Sequence, residues 1–186
     1  AKLIHTTHLV HEAELKEANF LATDTVISDL LPHAKNYTFL IFGDSYQKAR
    51  RLELMSTTAA TASGLLGPTQ EKLNALHKSH PNNPLYSAML AGIDAGIIER
   101  VGNFVGNMTY GADEDRAIEL FQNALLTQPS LAVLYNEFAQ VILRLDDSDY
   151  DELLLNTLNS CDQLEVYSAE EALNQNTCRK LLSQIN

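Results

Sequence analysis

Apolar residues recur at helical spacing along almost the whole chain, and no segment shows a sustained two-residue alternation rich in β-branched residues. The pattern predicts one or two amphipathic helices over residues 8–31, closed by Pro32, with Leu9, Leu15, Ala18, Leu21 and Ala22 on one face. A long helix over residues 37–65 follows, with an Ala- and Thr-rich interior and an end marked by Gly64 and Gly67-Pro68. Thr69 opens a short helix that stops before Pro81-Asn82-Asn83-Pro84. The most apolar stretch, residues 85–105, reads as one helix, and residues 107–113 as a loop. Asp113 and Glu114 then begin a helix at its positive end. Helices over residues 130–145, 149–164 and 168–185 complete the chain, the last opening on the capping-box spacing Ser168-Ala169-Glu170-Glu171. The expected fold is all-α: eight or nine helices in antiparallel pairs, in one domain of 186 residues.

Glycines 92, 96, 102 and 106 form two small-x-x-x-small pairs in the apolar helix. Asp94, Glu99 and Arg100 interrupt that stretch, so it reads as a soluble helix approached closely by a neighbour, not as a membrane span. Cys161 and Cys178 are able to pair, but on separate helices they read as small apolar packing residues. The compartment stays open. The first residue is Ala, which fits initiator removal, a cleaved leader or a trimmed chain; the reading favours the cytoplasm, or the periplasm where a leader has been removed.

Charge is distributed unevenly. Residues 1–80 hold eight basic and eight acidic side chains; residues 81–186 hold five and sixteen, which accounts for the whole net charge of −11. Such a surface repels phosphate backbones and argues against a nucleic-acid partner. It serves solubility, and it also suits a basic partner.

Residue types recur between two regions. Phe39, Phe42, Gly43 and Tyr46 share a spacing with Tyr135, Phe138, Ala139 and Ile142, and Pro32, Pro81 and Pro129 fall at similar intervals. Ala117, Phe121, Ala124 and Pro129 add a small–aromatic–small helix followed by proline. In these residues the chain resembles tetratricopeptide repeat proteins: the last four match the second helix of a repeat, and Tyr135, Phe138, Ala139 and Ile142 the first helix of the next. The interval between the prolines exceeds the family's repeat of about 34 residues, which implies longer helices or insertions. The resemblance implies a short right-handed solenoid, with the helix from Ser168 as its cap, and a non-enzymatic scaffold that binds a peptide or protein segment in a groove. By the family's register Asp44, Gln47, Lys48, Asn136, Gln140 and Arg144 would line that groove. Tyr110-Gly111-Ala112-Asp113, followed by Arg116-Ala117, also resembles bacterial repeat proteins that accompany substrate-binding transport systems; this implies the alternative of a small-molecule site between helices. An exposed apolar face on the first or last helix would instead pair two copies as a homodimer.

Motifs for chemistry are sparse, and no cofactor is expected. His5, His8 and His11 recur every third residue near the N-terminus, spacing that brings imidazoles together on a helix, but not in the order of a zinc hydrolase. The run from Asp146 to Glu152 alternates acids like a calcium loop but has Glu152 and Leu158 where glycine and glutamate are required, so Asp149 reads as a helix cap. Phe42-Gly43-Asp44-Ser45 contains the Gly-Asp-Ser of some esterases, here within a helical pattern. Without a nucleophile elbow, phosphate loop or dinucleotide fingerprint, the chain reads as no enzyme.

Overall fold

The computed structural model describes residues 1–34 and 37–185. Among them are eleven α-helices, two short 3-10 turns and no strand. They divide into two compact units, Ala1–Ser79 and His80–Asn186.

The first unit contains α1 (Lys2–Leu9), α2 (Ala13–Leu30), α3 (Thr38–Leu54), α4 (Thr57–Ala62) and α5 (Leu66–Ser79), with a 3-10 turn over Leu31–His33. Helix α3 packs against α2 on one side and α5 on the other. Phe20, Ile27, Leu52, Leu73 and Leu76 are buried there. The face expected to enter the core does not: Leu9, Leu15 and Leu21 are 51%, 50% and 43% exposed. Helix α2 is apolar on two sides, and the side carrying Asp24 packs inward. There Phe20 and Ile27 are buried, and Gln47 Nε2 donates to Asp24 Oδ1 at 2.5 Å. The long helix expected over residues 37–65 is broken at Met55, whose backbone is extended; the Ser56 hydroxyl then caps α4 by accepting from Ala59 N. Gly67 and Pro68 sit in the first turn of α5, where proline's missing N–H costs no hydrogen bond.

The second unit contains α6 (Pro84–Val101), α7 (Asn103–Tyr110), α8 (Glu114–Thr127), α9 (Ala132–Leu145), α10 (Asp151–Asp162) and α11 (Ala169–Ile185). Helix α6 is buried on nearly all sides because α7, α8 and α9 all pack on it. Helix α9 in turn touches α8, α10 and α11. Phe121 of α8 stacks on Phe138 of α9, centroids 5.0 Å apart, among Ala91, Ala139, Leu134 and Leu158.

The apolar stretch does not continue through residue 105. Gly102, at φ 79°, ends α6 and starts α7, which occupies part of the expected loop. Close approach, expected of all four glycines, is found at Gly106, where a Cβ would stand 3.3 Å from Ile97 Cγ2; nothing lies within 4 Å of the corresponding position at Gly92. The cap expected at Asp149 is Asp147, whose side chain accepts from Asp149 N at the head of a 3-10 turn. Ser168 and Glu171 do cap α11: Glu171 N donates to Ser168 Oγ, and Glu171 Oε2 accepts from Ser168 Oγ and Tyr167 N.

The cysteines are corrected by the structure. Cys161 and Cys178 form a disulfide between α10 and α11, with both side chains fully buried. No helix of the described residues is long and apolar enough to cross a membrane.

Candidate functional site

An open cleft of about 990 Å³ lies within the first unit. Its apolar floor is Leu31, Pro32, Ile41, Ala75 and Leu76, and its hydroxyls are Ser28, Thr38 and Ser79. Lys48 and Lys72 stand on its wall.

Both lysines converge on one carboxylate. Lys48 Nζ donates to Asp44 Oδ1 at 2.5 Å, and Lys72 Nζ to Asp44 Oδ2 at 2.6 Å. Asp44 is fully buried. Burial pushes its carboxyl up, but the hydrogen bonds and charges of the two lysines outweigh that and hold it below the ordinary range. Asp24 lies 3.7 Å from Lys48 and 4.0 Å from Arg51. Among the described residues the cluster thus joins three cations, Lys48, Lys72 and Arg51, to two carboxylates, Asp24 and Asp44. The Lys72 side chain is 40% exposed and lines the cleft.

This geometry reassigns the residues expected in a groove. Asp44 and Gln47 are buried in the first unit, and Asn136, 4% exposed, is buried in the second, where its Nδ2 donates to Asn174 Oδ1 at 2.8 Å. All three lie in the interior of their units. Lys48 borders the cleft. Gln140 and Arg144 are half-buried on α9, with Arg144 Nε 4.0 Å from Glu99. Lys72 was not among the expected residues. Nothing in the sequence singles it out within its helix, and only the fold sets it opposite Asp44.

In the second unit a buried carboxylate, Asp94 of α6, is paired with the part-exposed Arg116 of α8. Arg116 Nε and Nη2 donate to Asp94 Oδ2 at 2.8 and 2.6 Å, and Nη2 also to Oδ1 at 2.7 Å. Asp94 is 1% exposed, and burial pushes its carboxyl up to about 6 against the pull of Arg116.

Gly43, Asp44 and Ser45 lie in mid-α3, where Ser45 Oγ donates to Ile41 O at 3.0 Å and is buried; that hydroxyl is no nucleophile at a strand-to-helix turn. His5 and His8 lie on α1 and His11 beyond its end, with extended Val10 between, so the three do not share one helix face. Among the described residues no group of three or more His, Cys, Asp or Glu is arranged to hold a metal. No protein-family profile, curated protein or solved structure matches the chain.

Proposed function

We propose that this protein is a non-enzymatic helical scaffold that binds an apolar protein segment bearing a carboxylate in the cleft of its first unit. The observation that carries this reading is the open apolar floor beside Lys48 and Lys72, whose ion pairs, among the described residues, set three cations against two carboxylates. An apolar segment would cover the floor, and its carboxylate would meet Lys72 by charge complementarity. The hydroxyls of Ser28, Thr38 and Ser79 suit main-chain polar groups. A small molecule enclosed between helices is less well supported, since the cleft is open to solvent.

The tetratricopeptide-like reading belongs to the second unit. Helices α6 and α8 act as one pair, α9 and α10 as the next, and α11 as a cap; α9 nests on both members of the preceding pair. The Phe121–Phe138 stack joins the pairs, and the small residues Ala91 and Ala139 are fully buried at matching places. Helix α7 is then an insertion within a pair, which accounts for the long interval between Pro81 and Pro129. The first unit supports this reading less, because Phe39 of its signature is 68% exposed.

The test uses fluorescence anisotropy with short, acetylated, leucine- and alanine-rich peptides, each made with a free C-terminal carboxylate and as its amide. The carboxylate form should bind the full chain at least ~10-fold more tightly than the amide. Ala75→Glu, at an exposed position of that apolar floor, should abolish the difference. Equal binding of both forms, or binding untouched by Ala75→Glu, would exclude the cleft reading.

A further inference from the structure

The inserted helix α7 is apolar on the side facing away from its own core. Its inner side is Gly106, packed against Ile97, Ile98 and Ala112. One flank carries Asn103 and Asn107, one turn apart, which donate to Glu114 Oε2 at 3.1 Å and Asp113 Oδ2 at 3.2 Å. The outer side carries Phe104, Val105 and Met108, exposed by 77%, 45% and 73%. At about 100° per residue, Met108 falls between Phe104 and Val105 and roughly opposite Gly106. An amphipathic helix serving only its own fold would turn these side chains inward.

The asparagine flank connects this ridge to a bank of acids. Asp113, Glu114 and Asp115 open α8, and Asp147 is near enough to act on Glu114. Arg116, the next residue, does not neutralise them, because its guanidinium is bonded to Asp94. The positive end of α8 offsets only about half a charge. The ridge and the bank together match a partner that is apolar and basic. A second copy paired ridge to ridge would bring two such banks together, within a half that carries five basic and sixteen acidic residues, and the like charges would oppose it; residues 1–80, with eight of each sign, supply no basic excess for the bank either. An anionic membrane surface is opposed for the same reason.

We propose that α7 is a docking ridge for a basic amphipathic segment of another protein. The apolar face of that segment covers Phe104, Val105 and Met108, and its Lys and Arg side chains reach Asp113, Glu114, Asp115 and Asp147. This does not rest on the cleft of the first unit, and each reading can fail without the other.

The test titrates the full chain with a labelled amphipathic helical peptide of leucine and lysine, and with its leucine–glutamate twin, at low and high salt. The variants are Phe104→Ser/Met108→Ser, which alters only exposed side chains, and Glu114→Gln/Asp115→Asn; circular dichroism checks that each is folded. The lysine peptide should bind and weaken with salt, and the glutamate twin should not bind. The serine variant should lose at least ~10-fold in affinity, and the amide variant should flatten the salt dependence. Unchanged affinity in the serine variant would reduce the effect to general attraction by an acidic protein and overturn the proposal. So would absence of binding, or a wild-type self-association in sedimentation that Phe104→Ser abolishes.

Discussion

Arg116 grips Asp94 through both carboxylate oxygens, at 2.6 to 2.8 Å, and so fastens the start of α8 to the interior of α6. The carboxylate is buried while the guanidinium is 45% exposed on its side-chain surface, so the desolvation falls mainly on the acid. This asymmetry explains why the pair does not pull Asp94 into the usual salt-bridged range.

A pH dependence follows from it. The Asp94 carboxyl titrates near 3.8 in an unfolded chain and near 6 in the folded one. Between these values the folded state binds more protons, so the contribution of Asp94 to stability is greatest below 3.8 and is lost as pH rises through 6. The shift corresponds to a stability difference on the order of 3 kcal/mol. Asp94→Asn should remove this pH step in urea unfolding followed between about pH 4 and about pH 7. Arg116→Met should cost about 3–5 kcal/mol at the upper pH, where it strands a buried charge, and less at the lower.

Asp44 behaves in the opposite sense. Its folded carboxyl lies below the ordinary value of 3.8, so its contribution is present above that value and is lost as pH falls through the lower folded one. Asp44→Ala removes the acceptor shared by Lys48 and Lys72 and should destabilise the first unit by about 3–5 kcal/mol at neutral pH. Hydrogen exchange resolved on α3 and α5 reads this directly: protection should fall there and stay unchanged on α9 and α10.

The helices were legible where their ends carry chemistry of their own. Asp113, Pro84 and the Ser168–Glu171 box mark starts by side chains that bond or pre-shape the first turn. The break at Val10 was not legible, because no Gly, Pro or side-chain cap marks it; that at Met55 has only the Ser56 cap of the next helix as its local signal, within a continuous helical pattern. The candidate groove residues were chosen by a register borrowed from a resemblance. Which face of α3 is buried depends on Asp24 and Lys72 from neighbouring helices, and no local pattern near Asp44 records them. The disulfide was hidden for a similar reason: periodicity locates two cysteines on two helices but not the crossing of those helices.

Glycine substitutions in the α6–α7 segment should differ in sign. Gly92 has a helical backbone and free space around it, so Gly92→Ala should stabilise by about 0.5–1 kcal/mol. Gly102 stands at φ 79° and ψ 158°, so Gly102→Ala should cost about 1–3 kcal/mol even though nothing crowds it. Thermal unfolding of the two variants side by side checks this; a shared direction would contradict the break between α6 and α7.

The Cys161–Cys178 bond fastens α11 to α10, and without it the last helix would rely on contacts such as Gln175 Nε2 donating to the carbonyls of Cys161, Asp162 and Leu164. The bond spans a sequence separation of 17, for which loop closure in the unfolded chain is worth about 3 kcal/mol. Cys161→Ser and Cys178→Ser should each lose roughly that amount, and more where the hydroxyl is buried without a partner. Alkylation followed by mass spectrometry should find no reactive thiol in the folded, unreduced chain and two after denaturation with reductant. Because both sulfurs are fully buried, reductant alone should act slowly and at a rate set by opening of α11. Prompt reduction of the native protein would mean that α11 is not held as the structure places it. The capping role proposed for that helix would then have to be given up.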